Sequence, residues 1–352
     1  MALFKVDNVK VVGMGATVPK YEESNWDYDL LTEKEQDLLV KTTGIEKRRI
    51  AQSGTTTSDL CYHSAKNLLS KLEWNSNEIE LLIFVSQSPD YYLPATSIIL
   101  QDRLGLPKTA IAFDINLGCS GFVYGLSVIS TLISTARIKK ALLFSGDVSS
   151  FSINKNDKST FPLFGDAGTV TALEFDSSAN PLYFNLQSDG SGYEAIIIPD
   201  GGLRNPTNDE SYIEHQIEKG IKRSRRNLKL EGMDIFNFSL REVAPNINNL
   251  LEYANEDKSD FDYFVMHQAN KLMNESIRKK LKIEKDKVPY SLAKFGNTSS
   301  ASIPLTIVSE LKNNLSKGKH KLILSGFGVG LSWASVLLDT NNLICTEVLE
   351  YE

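Results

Sequence analysis

Short apolar runs rich in branched residues alternate along this chain with stretches whose apolar positions recur at helical spacing. LLIFVSQ (81–87), AFDIN (112–116) and ALLFSGD (141–147) read as strands in the first half, and DYFVMHQ (262–268), PYSLAK (289–294) and KLILSGF (321–327) in the second. Segments 58–72, 96–104, 121–135, 274–282 and 302–313 read as helices. Strands so apolar fit burial on both faces, and their alternation with helices implies an α/β architecture with largely parallel sheets. The two strand sets also match each other. Phe84 aligns with Phe264, Ile115 with Leu292 and Leu143 with Ile323 at nearly constant spacing, as an internal duplication would leave them. In such folds ligands gather at the carboxyl ends of strands.

Composition narrows the function classes. The chain has 352 residues, 41% of them hydrophobic, enough for one large or two medium domains. It contains no apolar run of about 18 residues that would span a membrane. Its start, MALFKVDNVKVVGMGATVP, lacks the cationic, apolar and small-residue stages of a signal peptide. A net charge of −6 disfavours general nucleic-acid binding. The three cysteines, Cys61, Cys119 and Cys345, are too dispersed for a zinc cluster and odd in number for a disulfide framework. A cytosolic enzyme is expected.

Cys119 lies in AFDINLGCSGFVYGL (112–126), where a strand-like run breaks and a helix-like run begins. The dipole and unpaired N–H groups of a helix N-terminus favour a thiolate, the reactive form of cysteine. Gly118, Ser120 and Gly121 would let a substrate carbonyl approach the backbone, with the Cys119 N–H donating to an oxyanion. His267 ends the apolar strand in YFVMHQAN, and Asn297 sits in the turn of FGNTSSA. Each has an ordinary reading: a buried structural cysteine, a satisfied core histidine, a turn asparagine. Cys, His and Asn occur in the same order in papain-like proteases, whose Cys-Gly-Ser-Cys-Trp type signature is absent here. All three residues fall just after a strand in this reading and could converge on one cavity. Cys61 and Cys345 have no activating neighbourhood and read as packing residues.

GCSGFVYGL, HQAN and FGNTSSASIP, together with FGDAGT (164–169), TGIEKRRIA (43–51) and FGVGLSWAS (327–335), resemble the β-ketoacyl-acyl-carrier-protein synthase III family over nearly the whole chain. The resemblance implies a thiolase-like αβαβα fold of two similar halves, 1–178 carrying Cys119 and 179–352 carrying His267 and Asn297, usually in a homodimer. It implies that Cys119 accepts an acyl group from a thioester. His267 and Asn297 would then stabilise the enolate left when a malonyl extender loses carbon dioxide. The oxyanion hole would pair the Cys119 N–H with that of Val329, where the family commonly has Gly. Gly326, Gly328 and Gly330 fit such close approach better than a phosphate cradle. No metal or organic cofactor is required.

Departures from the family bear on partners. Leu38, Thr42 and Lys158 stand where relatives carry the Trp and two Arg that bind coenzyme A. Leucine and threonine offer no stacking plane, so the donor is expected to be either a carrier-bound acyl chain or a coenzyme A thioester held by other contacts. Leu93 replaces a phenylalanine that closes the acyl pocket from the partner subunit, which implies a longer or branched primer or simple drift. An acidic carrier protein calls for a basic face, for which Lys271, Lys279 and Lys280 are the candidates, beside Leu272 and Arg278. A further basic run, Lys222, Arg223, Arg225, Arg226 and Lys229, reads either as a solvated face or as part of a flap within 201–231. Three other readings remain at this stage: an acyltransferase serving an oxygen or nitrogen acceptor, a non-catalytic ketosynthase partner, and a 3-hydroxy-3-methylglutaryl-coenzyme A synthase.

Overall fold

The computed structural model describes residues 2–352, built on two central sheets. In the first, Leu81–Val85 runs parallel to Lys140–Asp147, which is antiparallel to Ala167–Phe175, itself antiparallel to Val9–Pro19. The second repeats this ladder. Tyr263–Met266 is parallel to Lys319–Gly328, which is antiparallel to Ser332–Asn341, itself antiparallel to Leu182–Ser188. The same order of strand directions in both sheets is the structural form of the internal repeat.

Layering follows from which faces are apolar. The helix Gly121–Ala136 packs against strands of both sheets, and its Phe122, Val123, Leu126, Ile129 and Ile133 are fully buried between them. Each such side chain contributes about 1.5–3 kcal/mol when removed from water. The continuous helical segment formed by Ser302–Thr306, Ile307–Leu311 and Lys312–Leu315 is buried in the same cluster. Outside the first sheet lies Thr57–Leu72, started by a capping box between Thr56 and Asp59. Outside the second lie Gly232–Ala254 and Lys271–Leu281. The result is a five-layered αβαβα stack of the thiolase-like kind.

Two features depart from the periodicity. The strand expected at 289–294 does not form: Leu292–Phe295 is one helical turn, and Ser291 is tied by side chains, its N–H to Gln268 Oε1 at 3.2 Å and its hydroxyl to Thr306 at 2.7 Å. Its first-half counterpart, Ile111–Ile115, is the edge strand of the six-stranded sheet, whereas Tyr263–Met266 ends the five-stranded one. The chain ends also cross over. Ala2–Val6 pairs with Leu182–Ser188 in the second sheet, and Ile344–Tyr351 pairs with Val9–Pro19 in the first.

His215–Glu218 and Ile221–Arg223 form a small separate hairpin. It rests on the 152–158 loop through an Asp157–Ile221 bridge, a Lys158 N–H to Gly220 carbonyl bond of 2.9 Å, and an Arg223–Asp157 ion pair of 3.1 Å. Most of the basic run is neutralised within the segment or its neighbours. Lys222 pairs with Glu214, Arg225 with Asp200 and Lys229 with Glu231, while Arg226 donates to the Asp200 carbonyl. The run is therefore a set of internal latches.

Candidate active site

Cys119 immediately precedes the central helix, at the point where the chain leaves the first sheet. The helix has no side-chain N-cap, which leaves its first N–H groups without a protein side chain to satisfy them. The loop after Lys319–Gly328 comes so close that a Cβ on Gly328 would lie 2.8 Å from Cys119 Sγ, so only glycine fits there. That approach brings the Val329 N–H to the thiol, where it acts beside the N–H of Cys119 itself. Ser332 holds this loop in place, sharing a 2.7 Å bond with Ser120 and donating to the Val329 carbonyl at 2.9 Å. The Val329 and Cys119 N–H groups thus face one sulfur.

Electrostatics at the thiol differ from the helix-terminus expectation. Burial is the largest influence and pushes the Cys119 thiol up to about 11, with the Val329 N–H and Ser299 hydroxyl working against it and the Asp147 carboxylate adding to it. The resting residue is a thiol, and activation waits on substrate or on proton removal. Burial raises the proton affinity of Cys61 and Cys345 as well.

His267 follows the Tyr263–Met266 strand, and its backbone N–H reaches the Ser325 carbonyl at 2.8 Å, extending the parallel ladder by one bond. Its Nδ1 lies 2.7 Å from the Ser302 hydroxyl, its ring meets Phe327 edge-on at 5.6 Å, and it also faces the Ser299 carbonyl. Burial pushes its pKa down to about 3, so the imidazole is neutral at ordinary pH. Asn297 does not follow a strand, contrary to the sequence reading. It follows the Leu292–Phe295 turn and is fixed by a bridge to Phe164: its N–H donates to the Leu163 carbonyl at 2.9 Å and its carbonyl accepts from Gly165 at 3.0 Å. Its Oδ1 accepts the Ser299 N–H at 3.0 Å, which leaves the Nδ2 hydrogens as the donors available to a substrate.

Sequence reasoning missed Ser299, which joins all three residues. Its N–H holds Asn297, its carbonyl faces His267, and its hydroxyl reaches the Cys119 thiol. It also missed Gln87, whose Oε1 would lie 2.4 Å from a Cβ on Gly118, next to Cys119. The hydroxyl-rich run after FGN was legible only as a helix cap; nothing in the sequence placed Gln87.

The remaining expected residues lie away from this cluster. Leu93 is 82% exposed, beside exposed Tyr91 and Tyr92. Leu38, on the helix Glu33–Thr43, is 65% exposed, and Lys158 is drawn to Glu35 at 3.8 Å. Lys271 starts its helix and packs against Gly44 at the end of Glu33–Thr43. Lys279 and Lys280 are exposed near the helix's other end, Lys280 bonded to the Leu240 carbonyl at 2.7 Å. Among the described residues no group of His, Cys, Asp or Glu could hold a metal ion, and no helix is long and apolar enough to cross a membrane.

The 3-oxoacyl-[acyl-carrier-protein] synthase III model matches residues 113–190, and the model of that enzyme's C-terminal part matches 251–340. A β-ketoacyl-[acyl-carrier-protein] synthase III of Clostridium novyi is 34% identical over 334 residues, 95% of this chain and 99% of the relative. One from Streptococcus mutans is 33% identical over 323 residues, 91% of this chain and 96% of its own. The crystal structure of a 3-oxoacyl-(acyl-carrier protein) synthase from Burkholderia xenovorans superposes with a TM-score of 0.93 at 38% identity, covering 99% of each chain.

Proposed function

The chain belongs to the β-ketoacyl-acyl-carrier-protein synthase III family of condensing acyltransferases in fatty-acid biosynthesis, and on that premise we propose how its residues divide the reaction. The reading is carried by the turn from Ser299 to Ser302, one short segment that reaches Cys119, Asn297 and His267 together.

Cys119 attacks the acyl thioester carbonyl, and the proton it sheds ends on the departing donor sulfur. The oxyanion so formed lies against the Val329 and Cys119 N–H groups, and its collapse expels the donor thiol and leaves acyl-Cys119. Malonyl-acyl-carrier protein then enters. Neutral His267 and the Asn297 amide donate to its thioester oxygen, so that loss of carbon dioxide leaves a stabilised enolate. A cationic histidine would bind the malonate carboxylate and oppose its departure, whereas a neutral donor favours the charge only where it develops. The enolate carbon attacks acyl-Cys119, the thiolate leaves, and the product departs as a 3-oxoacyl carrier protein.

Partners follow from the exposed features. The acyl donor is a coenzyme A or carrier-protein thioester, and the acidic carrier docks along Lys271, Lys279 and Lys280. A homodimer fits the unpaired outer edge of Ile111–Ile115 and the projecting Leu93, which reaches the partner's acyl pocket. The first half, 1–178, supplies the nucleophile and the second, 179–352, the decarboxylating pair. The enzyme works in the cytosol.

Intact-protein mass spectrometry after incubation with a panel of acyl-coenzyme A and acyl-carrier thioesters tests the reading, with Cys119→Ala as control. Acylation confined to Cys119 and discharged by malonyl-acyl-carrier protein as a 3-oxoacyl carrier is the expected result. An adduct that malonyl carrier fails to discharge would redirect the acyl group to another acceptor, and absence of any adduct would overturn the assignment of Cys119.

A further inference from the structure

Asp147 ends the Lys140–Asp147 strand, buried to 2% exposure, and makes no ion pair among the described residues. A carboxylate so deep is ordinarily matched by a cation. Here its charge is held entirely by hydroxyl and amide donors. Oδ1 accepts the Gln87 N–H at 2.7 Å and the Ser86 hydroxyl at 3.1 Å; Oδ2 accepts the Ser300 hydroxyl at 2.8 Å and the Ser300 N–H at 3.2 Å. One oxygen therefore grips the end of the Leu81–Val85 strand in the nucleophile's half. The other grips the turn that carries the Asn297 and His267 contacts.

We propose that Asp147 is a positioning residue for the decarboxylation step, fixing the Ser299–Ser302 turn against the Ser86–Gln87 segment and, through that turn, setting the two neutral donors. The inference rests on the functional reading above. Ser300 lies between Ser299, whose N–H orients the Asn297 amide, and Ser302, whose hydroxyl orients the His267 ring. Cys119 is placed mainly by the central helix and by the Ser332 contacts, and it meets the knot through the Ser299 hydroxyl and the Asp147 charge. Loosening the Asp147 knot should therefore shift the second half-reaction far more than the first.

Asp147→Asn exchanges one acceptor oxygen for a donor NH2 that must face either the Gln87 or the Ser300 donors, so one side of the knot is lost. Because that variant could fail to fold, Ser300→Ala, which removes one hydroxyl and keeps the N–H, serves as the second probe. Both are assayed as full-length protein for Cys119 acylation by mass spectrometry and for kcat and KM of carbon dioxide release from malonyl-acyl-carrier protein. Asp147→Asn is expected to lower kcat for release about 30- to 100-fold, with KM within about twofold and acylation within about fivefold, in line with the cost of a misplacement near 1 Å. Ser300→Ala should lower it about fivefold with acylation unchanged. The proposal is overturned if Ser300→Ala keeps full carbon dioxide release, or if either folded variant loses acylation in step with release. Absence of release in the unmodified enzyme would instead overturn the functional reading.

Discussion

The two halves use the same ladder of strands, yet deliver different chemistry from it. In the first, the chain leaves the edge strand at Ile115 and enters the central helix at Gly121, so Cys119 sits just before a helix start that has no side-chain cap. In the second, the corresponding central helix is entered through the hydroxyl-lined turn after Asn297, which consumes its own polar groups in orienting an amide and an imidazole. One half offers a single ionisable thiol whose proton affinity burial raises; the other offers an amide that does not titrate and an imidazole that burial keeps neutral. On the proposed reading, a duplicated scaffold supplies a nucleophile from one copy and charge-free stabilisation from the other.

The strongest way to break this division is to remove the nucleophile alone. Cys119→Ala should abolish acylation and cut overall condensation by roughly 10⁴-fold or more. Slow decarboxylation of malonyl-acyl-carrier protein should survive, because the donors of the second half are intact. Asn297→Ala should do the converse, lowering carbon dioxide release about 10²- to 10³-fold as expected for one lost donor, with acyl-Cys119 formation within a few-fold. The acyl adduct and released carbon dioxide, measured on each variant, test both.

A pH series sharpens the contrast. With the thiol pushed up to about 11, the thiolate fraction increases about tenfold per pH unit throughout the range below it, so iodoacetamide labelling of Cys119 should climb from pH 7 to 9 without a plateau. With His267 pushed down to about 3, carbon dioxide release should show no histidine titration between pH 5 and 8. A labelling plateau near pH 7, or a release profile with a midpoint near 6.5, would remove the difference between the halves. The smallest effect is expected at the oxyanion loop. Val329→Gly keeps the backbone donor and should leave acylation within about threefold, since it removes only side-chain contact.

Much of this was legible in the chain. Strands such as LLIFVSQ and KLILSGF carry enough apolar, branched residues to read directly, and Cys119 and His267 stand where sheets give way to loops. PYSLAK misled because its apolar pattern carries no record of its neighbour: the second sheet ends at Tyr263–Met266, and Gln268 and Thr306 hold Ser291 in a turn. The long helix Gly232–Ala254 escaped notice with Pro245 inside it and a cluster of asparagines after that proline. Asn246, the first of them, is buried and bonded to the Asn185 carbonyl and Gln187, contacts that only the folded chain supplies. Asp147 and Ser299 were invisible for the same reason, since their roles consist of partners far away in sequence.

The most direct test of the divided site is a single-turnover experiment on His267→Ala with an acyl donor followed by malonyl-acyl-carrier protein labelled in its free carboxyl group. The account predicts acyl-Cys119 forming within about threefold of the unmodified rate and carbon dioxide release slowed about 10²- to 10³-fold. Acylation falling by the same factor as release, in a variant that remains folded, would contradict it.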